Sequence, residues 1–219
     1  MNTSKTKILS NTVNREVICI DNNEIEYIED YTYLGQTMSF HDKMTKEIDK
    51  RVANAWKRFW SLKEIMKSKT TKIAIKRKVF NTCILPVMTY GYETWALTKA
   101  HMHKLQVCQR SMERSMLGLR MIHHIEMKEI RKITEVDDVT TKIKTQKWRW
   151  TGHMIRGNQE KWTQMVTVWY PRDQKRKKGR PYQRWDDDIK KVAGPLWMRT
   201  ARDREAWKRL EEAYVQGTD

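Results

Sequence analysis

The chain has 219 residues, with 44 Lys+Arg against 27 Asp+Glu and a formal net charge of +17. Its 39% hydrophobic content, 10 Trp and 13 Met argue against a disordered tail, and 8 Gly with 4 Pro are too few turn residues for a β-sandwich or barrel. There is no apolar run long enough to span a membrane, no apolar stretch of a secretory signal at the N-terminus, and no CxxC or zinc spacing among Cys19, Cys83 and Cys108. These exclusions predict an intracellular protein, nuclear or cytoplasmic, in a reducing compartment. His101/His103 and His123/His124 have no Cys or carboxylate at ligand spacing, so no metal site is expected.

In chain order, Val17-Ile18-Cys19-Ile20 is β-rich, Asp21-Asn22-Asn23 is a turn signal, and residues 24–29 alternate polar and apolar. That pattern predicts a hairpin. Tyr31–Phe40 is a further extended stretch broken at Gly35. From 42 to 67 the period changes. Met44, Ile48, Val52, Ala55/Trp56, Phe59/Trp60 and Ile65/Met66 form one helix face, with Lys50, Arg51, Lys57 and Arg58 among the cations placed elsewhere. Thr70 or Thr71 caps a second helix, which should end near Pro86. Residues 87–95 (VMTYGYETW) read as a broken continuation. Thr98 starts a third helix, and Gly118 stands where a left-handed C-terminal cap belongs.

Residues 125–133 and 138–155 then read as helices, the second capped by Asp137 or Asp138, while 162–170 fits helix or strand. Residues 171–180 read as an exposed loop ending in Lys175, Arg176, Lys177, Lys178 and Arg180. Pro181 opens a helix through Val192, Gly194-Pro195 breaks it, and 199–215 forms a last helix. The expected class is α+β, mainly α. Strands at 1–38 (net charge −3) precede a helical bundle at 39–118 (+11) and a basic helical extension at 119–219 (+9).

A basic chain with many aromatics points to a polyanionic partner, nucleic acid above all. No phosphate loop, no G-x-S-x-G and no H-E-x-x-H occurs. Asp186-Asp187-Asp188 is the one carboxylate cluster. Consecutive acids on a helix point about 100° apart, so it reads as a negative first turn that complements the helix dipole. The run from Lys175 to Arg180 suits phosphate contacts; nuclear import and plain solvation are its other readings. Trp148 and Trp150 flank Arg149. Positions i and i+2 do not share a helix face, so at least one of the two should be partly exposed and could stack on a base.

Several of these residues fall into ordered motifs. They are Asn2 to Lys7; Tyr31-Thr32-Tyr33-Leu34-Gly35; Cys83-Ile84-Leu85-Pro86 with Thr89 to Trp95; Gln109-Arg110 to Leu117-Gly118; Gly179-Arg180-Pro181 with Arg184-Trp185 and Asp187-Asp188-Ile189; and Trp197, Ala201, Asp203-Arg204 and Trp207. In this order they resemble the C-terminal part of the reverse transcriptases of non-LTR retrotransposons, of the RTE-like endonuclease–reverse transcriptase kind. The resemblance implies a palm remnant (1–38), a thumb (39–118) that grips the template–primer duplex by its backbone, and a C-terminal extension. Lys5, Tyr33 and Gly35 would then lie near the primer. The family performs RNA-directed DNA synthesis with Mg2+ held by palm aspartates, in a hairpin upstream of the first motif seen here. Two-metal catalysis needs those carboxylates, so this chain by itself is expected to bind RNA or DNA duplex backbone without catalysis or cofactor. The candidate contacts are Lys5, Tyr33, Gly35, Lys50, Arg51, Lys57, Arg58, Arg149, Lys175, Arg176, Lys177, Lys178 and Arg180. No membrane and no small-molecule substrate are expected. The alternative is a retroelement relic or a domesticated protein-interaction module.

Overall fold

The computed structural model describes residues 2, 5–12, 15–40, 42–157, 162–169 and 184–217. Pro181 and the run from Lys175 to Arg180 lie outside the described residues. The fold is α+β and mainly α, and it divides into two compact units, Met1–Arg51 and Val52–Asp219.

In the first unit, Asp21 and Asn22 take left-handed φ values of 50° and 59°. Asp and Asn tolerate that region, and two such residues in succession turn a chain tightly enough to pair β1 (Cys19–Ile20) with β2 (Asn23–Glu24) antiparallel. A second hairpin pairs β3 (Asp30–Tyr33) with β4 (Gln36–Ser39) in the register Tyr31↔Met38 and Thr32↔Thr37. Its turn places Leu34 at φ 48° and Gly35 at φ 80°. Glycine has no penalty there, but leucine does.

Four side chains from the first half of α1 (Lys43–Ser61) hold this hairpin. Arg51 Nη2 donates to Gly35 O at 2.7 Å, and Glu47 Oε2 accepts the Thr37 N–H at 2.7 Å. Lys46 Nζ pairs with Asp30 at 2.6 Å, and Lys50 Nζ donates to Thr32 Oγ1 at 3.0 Å. Glu47 and Arg51 also pair with each other, and both are buried. The helix thus clamps the carbonyl and the amide next to the strained turn.

In the second unit, α1 buries Ala55 and Phe59, breaks at Leu62 and is followed by α2 (Lys63–Met66). The next helix ends near Pro86 as its sequence suggests, at Met88, but it passes the proline through a change of turn. α3 (Ile73–Val79) widens into a π turn at Phe80–Ile84, where the Leu85 N–H donates to Phe80 O, and continues as α4 (Leu85–Met88). Proline lacks an N–H and its ring crowds the carbonyl four residues back. The wider turn carries the helix past both problems.

Gly91 at φ 76° leads into a 3-10 turn at Tyr92–Thr94. Thr98 caps α5 (Lys99–Met116) as expected, in a reciprocal box with His101, and Gly118 takes φ 69°. α6 (Met127–Thr134) follows, then α7 (Val139–Arg156), which is capped by Asp138. Residues Trp162–Val168 are helical (α8), which resolves the helix-or-strand ambiguity. α9 (Asp187–Ala193) precedes three short helices in place of the single expected one: α10 (Trp197–Arg202), α11 (Arg204–Arg209) and α12 (Glu211–Gln216). Asp203 makes the first break. Its backbone is extended (φ −82°, ψ 110°), and its carboxylate accepts the Glu205 and Ala206 N–H groups, a local bond that competes with helix continuation.

The main core of this unit gathers Trp148, Met154, Ile155, Ile189, Trp197, Ala201, Trp207 and Tyr214. At its centre the Trp148 and Trp207 rings stack at 3.8 Å and 5°. Trp148 Nε1 donates to Trp207 O and Trp207 Nε1 donates to Trp148 O, both at 2.9 Å. A second polar knot joins α5 to the chain before α7. Gln109 Nε2 donates to Asp137 O at 2.9 Å, and Gln109 Oε1 accepts the Val139 N–H at 2.8 Å.

Two predictions follow from this packing. Glu47→Gln removes the counter-charge of buried Arg51 and should cost about 3 kcal/mol, read as faster amide exchange across β3 and β4. Burial pushes the Glu47 carboxyl up, but the Thr37 hydrogen bonds and the Arg51 charge outweigh it, and its pKa lies below the ordinary value. Its stabilisation is therefore present above the usual carboxylate range and is lost as pH falls through the depressed folded value. The variant should lose that acid dependence.

Gly152→Ala tests the tryptophan stack. Alanine should favour an exposed helix by about 1 kcal/mol. A Cβ at Gly152, however, would lie 2.5 Å from Trp207 Cδ1 and 2.6 Å from Nε1. Overpacking of this kind costs about 1–3 kcal/mol, so denaturant titration should show net destabilisation.

Candidate nucleic-acid interface

A net charge of +17 matters to a partner only where the cations are not already used. Many acids pair internally: Asp30 with Lys46, Glu47 with Arg51, Glu113 and Asp138 with Arg131, Asp186 with Lys190, Asp188 with Lys147, Glu211 with Arg149. The excess is therefore carried by other lysines and arginines, many of them exposed.

Within the first unit, Lys5 is exposed and its backbone N–H donates to Asn2 O at 3.2 Å. Tyr33, Gly35, Lys50 and Arg51 come together at the β3–β4 hairpin. Tyr33 is 60% exposed, whereas Arg51 is 5% exposed and engaged with Glu47 and Gly35 O. Arg51 is therefore a structural cation and not a surface contact, because a hairpin turn with a strained leucine needs its carbonyl held. Lys50 reaches Thr32 and remains half-buried.

In the second unit, Lys57 and Arg58 are exposed on α1. Arg149 is exposed on α7 but forked onto Glu211, Nε to Oε1 at 2.9 Å and Nη2 to Oε1 at 2.6 Å. Lys175, Arg176, Lys177, Lys178 and Arg180 lie outside the described residues. Trp148 is buried in the stack, and Trp150 is half-buried with its ring edge against Trp185 at 5.9 Å. The i, i+2 rule correctly makes one of the two partly exposed, but both rings pack on other tryptophans.

The three aspartates do three different jobs, as their angular spread requires. Asp186 pairs with Lys190 at 2.7 Å, and Asp187 Oδ2 accepts the Arg184 N–H at 2.7 Å. Asp188 does more than complement a helix dipole. It accepts from Lys147 Nζ at 2.8 Å and from the Tyr214 hydroxyl at 2.8 Å. Lys147 Nζ also donates to Trp185 O at 2.7 Å and sits 5.1 Å from the Trp185 ring centroid. Burial lowers the Lys147 pKa, and the Asp188 charge opposes that shift. Sequence alone did not single out Lys147. Its signal in the sequence is a lysine inside the apolar stripe of α7.

Beside this network, between the start of α5 and helices α7, α9 and α12, lies a cavity of 460 Å³. Among the described residues, no group of three or more His, Cys, Asp or Glu could hold a metal ion, and no helix is long and apolar enough to cross a membrane. Burial pushes the Cys108 thiol up to about 12, which removes it as a nucleophile.

Asp188→Asn should strip Lys147 of its counter-charge and cost about 3 kcal/mol, while Asp186→Asn and Asp187→Asn should each cost under about 1 kcal/mol. In Asp188→Asn the folded pKa of Lys147 falls further. The deficit should therefore shrink as pH rises from that depressed value toward the ordinary lysine range. Denaturant midpoints measured against pH would show it.

No protein-family model matches the chain, and no solved structure matches the fold. One relative does match. An uncharacterized transposon-derived protein of Caenorhabditis elegans, F52C9.6, is 30% identical over 226 residues, covering 94% of this chain and 80% of the relative. Similarity at that level over nearly the whole length reflects a shared fold and origin, and the chain belongs to the same transposon-derived family as this Caenorhabditis elegans protein.

Proposed function

We propose that the chain binds nucleic-acid backbone, as the thumb-like and C-terminal part of a reverse-transcriptase-like protein of transposon origin, and does no chemistry of its own. The observation that carries this reading is the division of charge. The fold uses its acids on internal partners such as Arg51, Arg131 and Lys147, and exposed cations such as Lys57 and Arg58 have no ion-pair partner among the described residues. Surface charge of that sign and excess attracts a polyanion and reads no base sequence. The transposon-derived relative supports the origin. The ordered motifs support the reverse-transcriptase resemblance, and with it a template–primer duplex as the partner.

A salt titration of duplex binding tests the proposal. Replacing Lys175, Arg176, Lys177 and Lys178 with Ala should reduce the slope of log affinity against log salt by roughly 3 to 4 if all four engage phosphates. Lys57→Ala with Arg58→Ala should reduce it by about 2. Unrelated duplex sequences should be affected alike. Absence of salt-dependent binding in the wild type would overturn the reading and leave a protein-interaction module or an inert relic.

A further inference from the structure

The 460 Å³ cavity has features that backbone binding does not use. Its volume lies within the range of small-molecule pockets, about 300–1,000 Å³. Lys99, His103, Lys144 and Lys191 line it, against one carboxylate, Asp188, which Lys147 and Tyr214 already occupy. Lys99 opens α5, an 18-residue helix whose N-terminus adds partial positive charge. Trp95, Leu97 and Met102 supply an apolar wall.

The Tyr92 hydroxyl is the second observation. Tyr92 lines the same cavity and is 2% exposed, and its Oη is buried with no hydrogen-bond partner among the described residues. A buried hydroxyl left unpaired costs about 1–3 kcal/mol. Folded proteins rarely keep one without use.

We propose that this cavity binds a nucleoside phosphate, with the phosphate on Lys99 and Lys191, the planar base against the Trp95 wall, and the Tyr92 hydroxyl bonded to the ligand. Inorganic phosphate alone would leave the apolar wall empty, and an uncharged nucleoside would leave the cations unopposed. The ligand requires both parts. Its source is either a free nucleotide or the phosphorylated end of a strand, since the chemistry is the same. None of the residues lining the pocket is among those named for backbone contact, so the two proposals can fail separately.

Calorimetry on the full chain tests it with adenosine 5′-monophosphate, adenosine and inorganic phosphate. Saturable one-to-one binding of the monophosphate is expected, with each of the other two weaker by roughly tenfold or more. Lys99→Ala with Lys191→Ala, both exposed positions, should weaken the monophosphate by roughly tenfold or more. Tyr92→Phe should weaken it severalfold and leave the melting temperature equal or higher, because it deletes an unpaired hydroxyl. Displacement of the monophosphate by a 5′-phosphorylated oligonucleotide, but not by its hydroxyl-ended counterpart, would assign the site to a strand end. Displacement by neither would assign it to a free nucleotide. Equal affinity for adenosine and its monophosphate, unchanged affinity in the Lys99/Lys191 variant, or no saturable binding would overturn the proposal.

Discussion

Two indole rings, from α7 and α11, lie face to face at 3.8 Å, and each donates its N–H to the backbone carbonyl of the other. An indole N–H cannot be buried for long without an acceptor, and a carbonyl inside a helix has little freedom to move toward a donor. Meeting both demands at once fixes the distance between the two helices to a narrow value. The same constraint explains Gly152, since any side chain there would occupy the space of the Trp207 ring. It also sets the neighbours. Tyr214 lies 4.6 Å from Trp148, and Trp197 lies 6.4 Å from Trp207. With Tyr214 so placed, its hydroxyl reaches Asp188, and Asp188 in turn neutralises Lys147. The polar network beside the cavity thus rests on an apolar stack.

Buried charge is handled the same way elsewhere. Glu113 is fully buried, accepts from Thr134 Oγ1 at 2.6 Å and faces Arg131. Burial raises its pKa against the pull of those partners. Lys76 Nζ donates to Met116 O at 2.8 Å, which satisfies an end carbonyl of α5. Arg114 Nη2 donates to Ile125 O at 3.1 Å. A buried ion left alone costs several kcal/mol, so each has found a partner nearby. Among the described residues, buried ions are held by a counter-charge or a carbonyl, and many of the other lysines and arginines are exposed.

This division changes how the ordered motifs are read. Gln109, Arg114 and Gly118 fasten α5 to the chain that follows it. Gly35 offers its carbonyl to Arg51, and Asp203 starts α11. Trp185 donates its Nε1 hydrogen to Glu93 O at 2.7 Å, which ties the segment around α9 to the turn after Gly91. These recognisable residues hold loops and helix ends. Exposed cations such as Lys57 and Arg58 lie between them, where no motif marks them.

Much of the fold could be read from the chain alone. Hydrophobic period located α1, α5 and α7, because burying one face of a helix forces apolar residues to recur with the helical turn. Short polar side chains at Thr98 and Asp138, and Gly118 beyond α5, marked helix ends, since capping is a local reaction between neighbouring residues. The first hairpin turn was visible in Asp21-Asn22 and Gly35 marked a break in the next extended stretch for the same local reason, but the pairing of β3 with β4 was not. What the sequence did not reveal were the relations between distant residues. How the helix reaches and passes Pro86 depends on the π turn before it, and whether Arg51 faces solvent depends on a hairpin 16 residues away that needs its hydrogen bond. That Asp188 neutralises Lys147, that Trp148 stacks on Trp207, and that Tyr92 is left facing a cavity are matters of which helices meet. A one-dimensional pattern specifies which faces must be buried, but their partners are set only when packing brings the helices together.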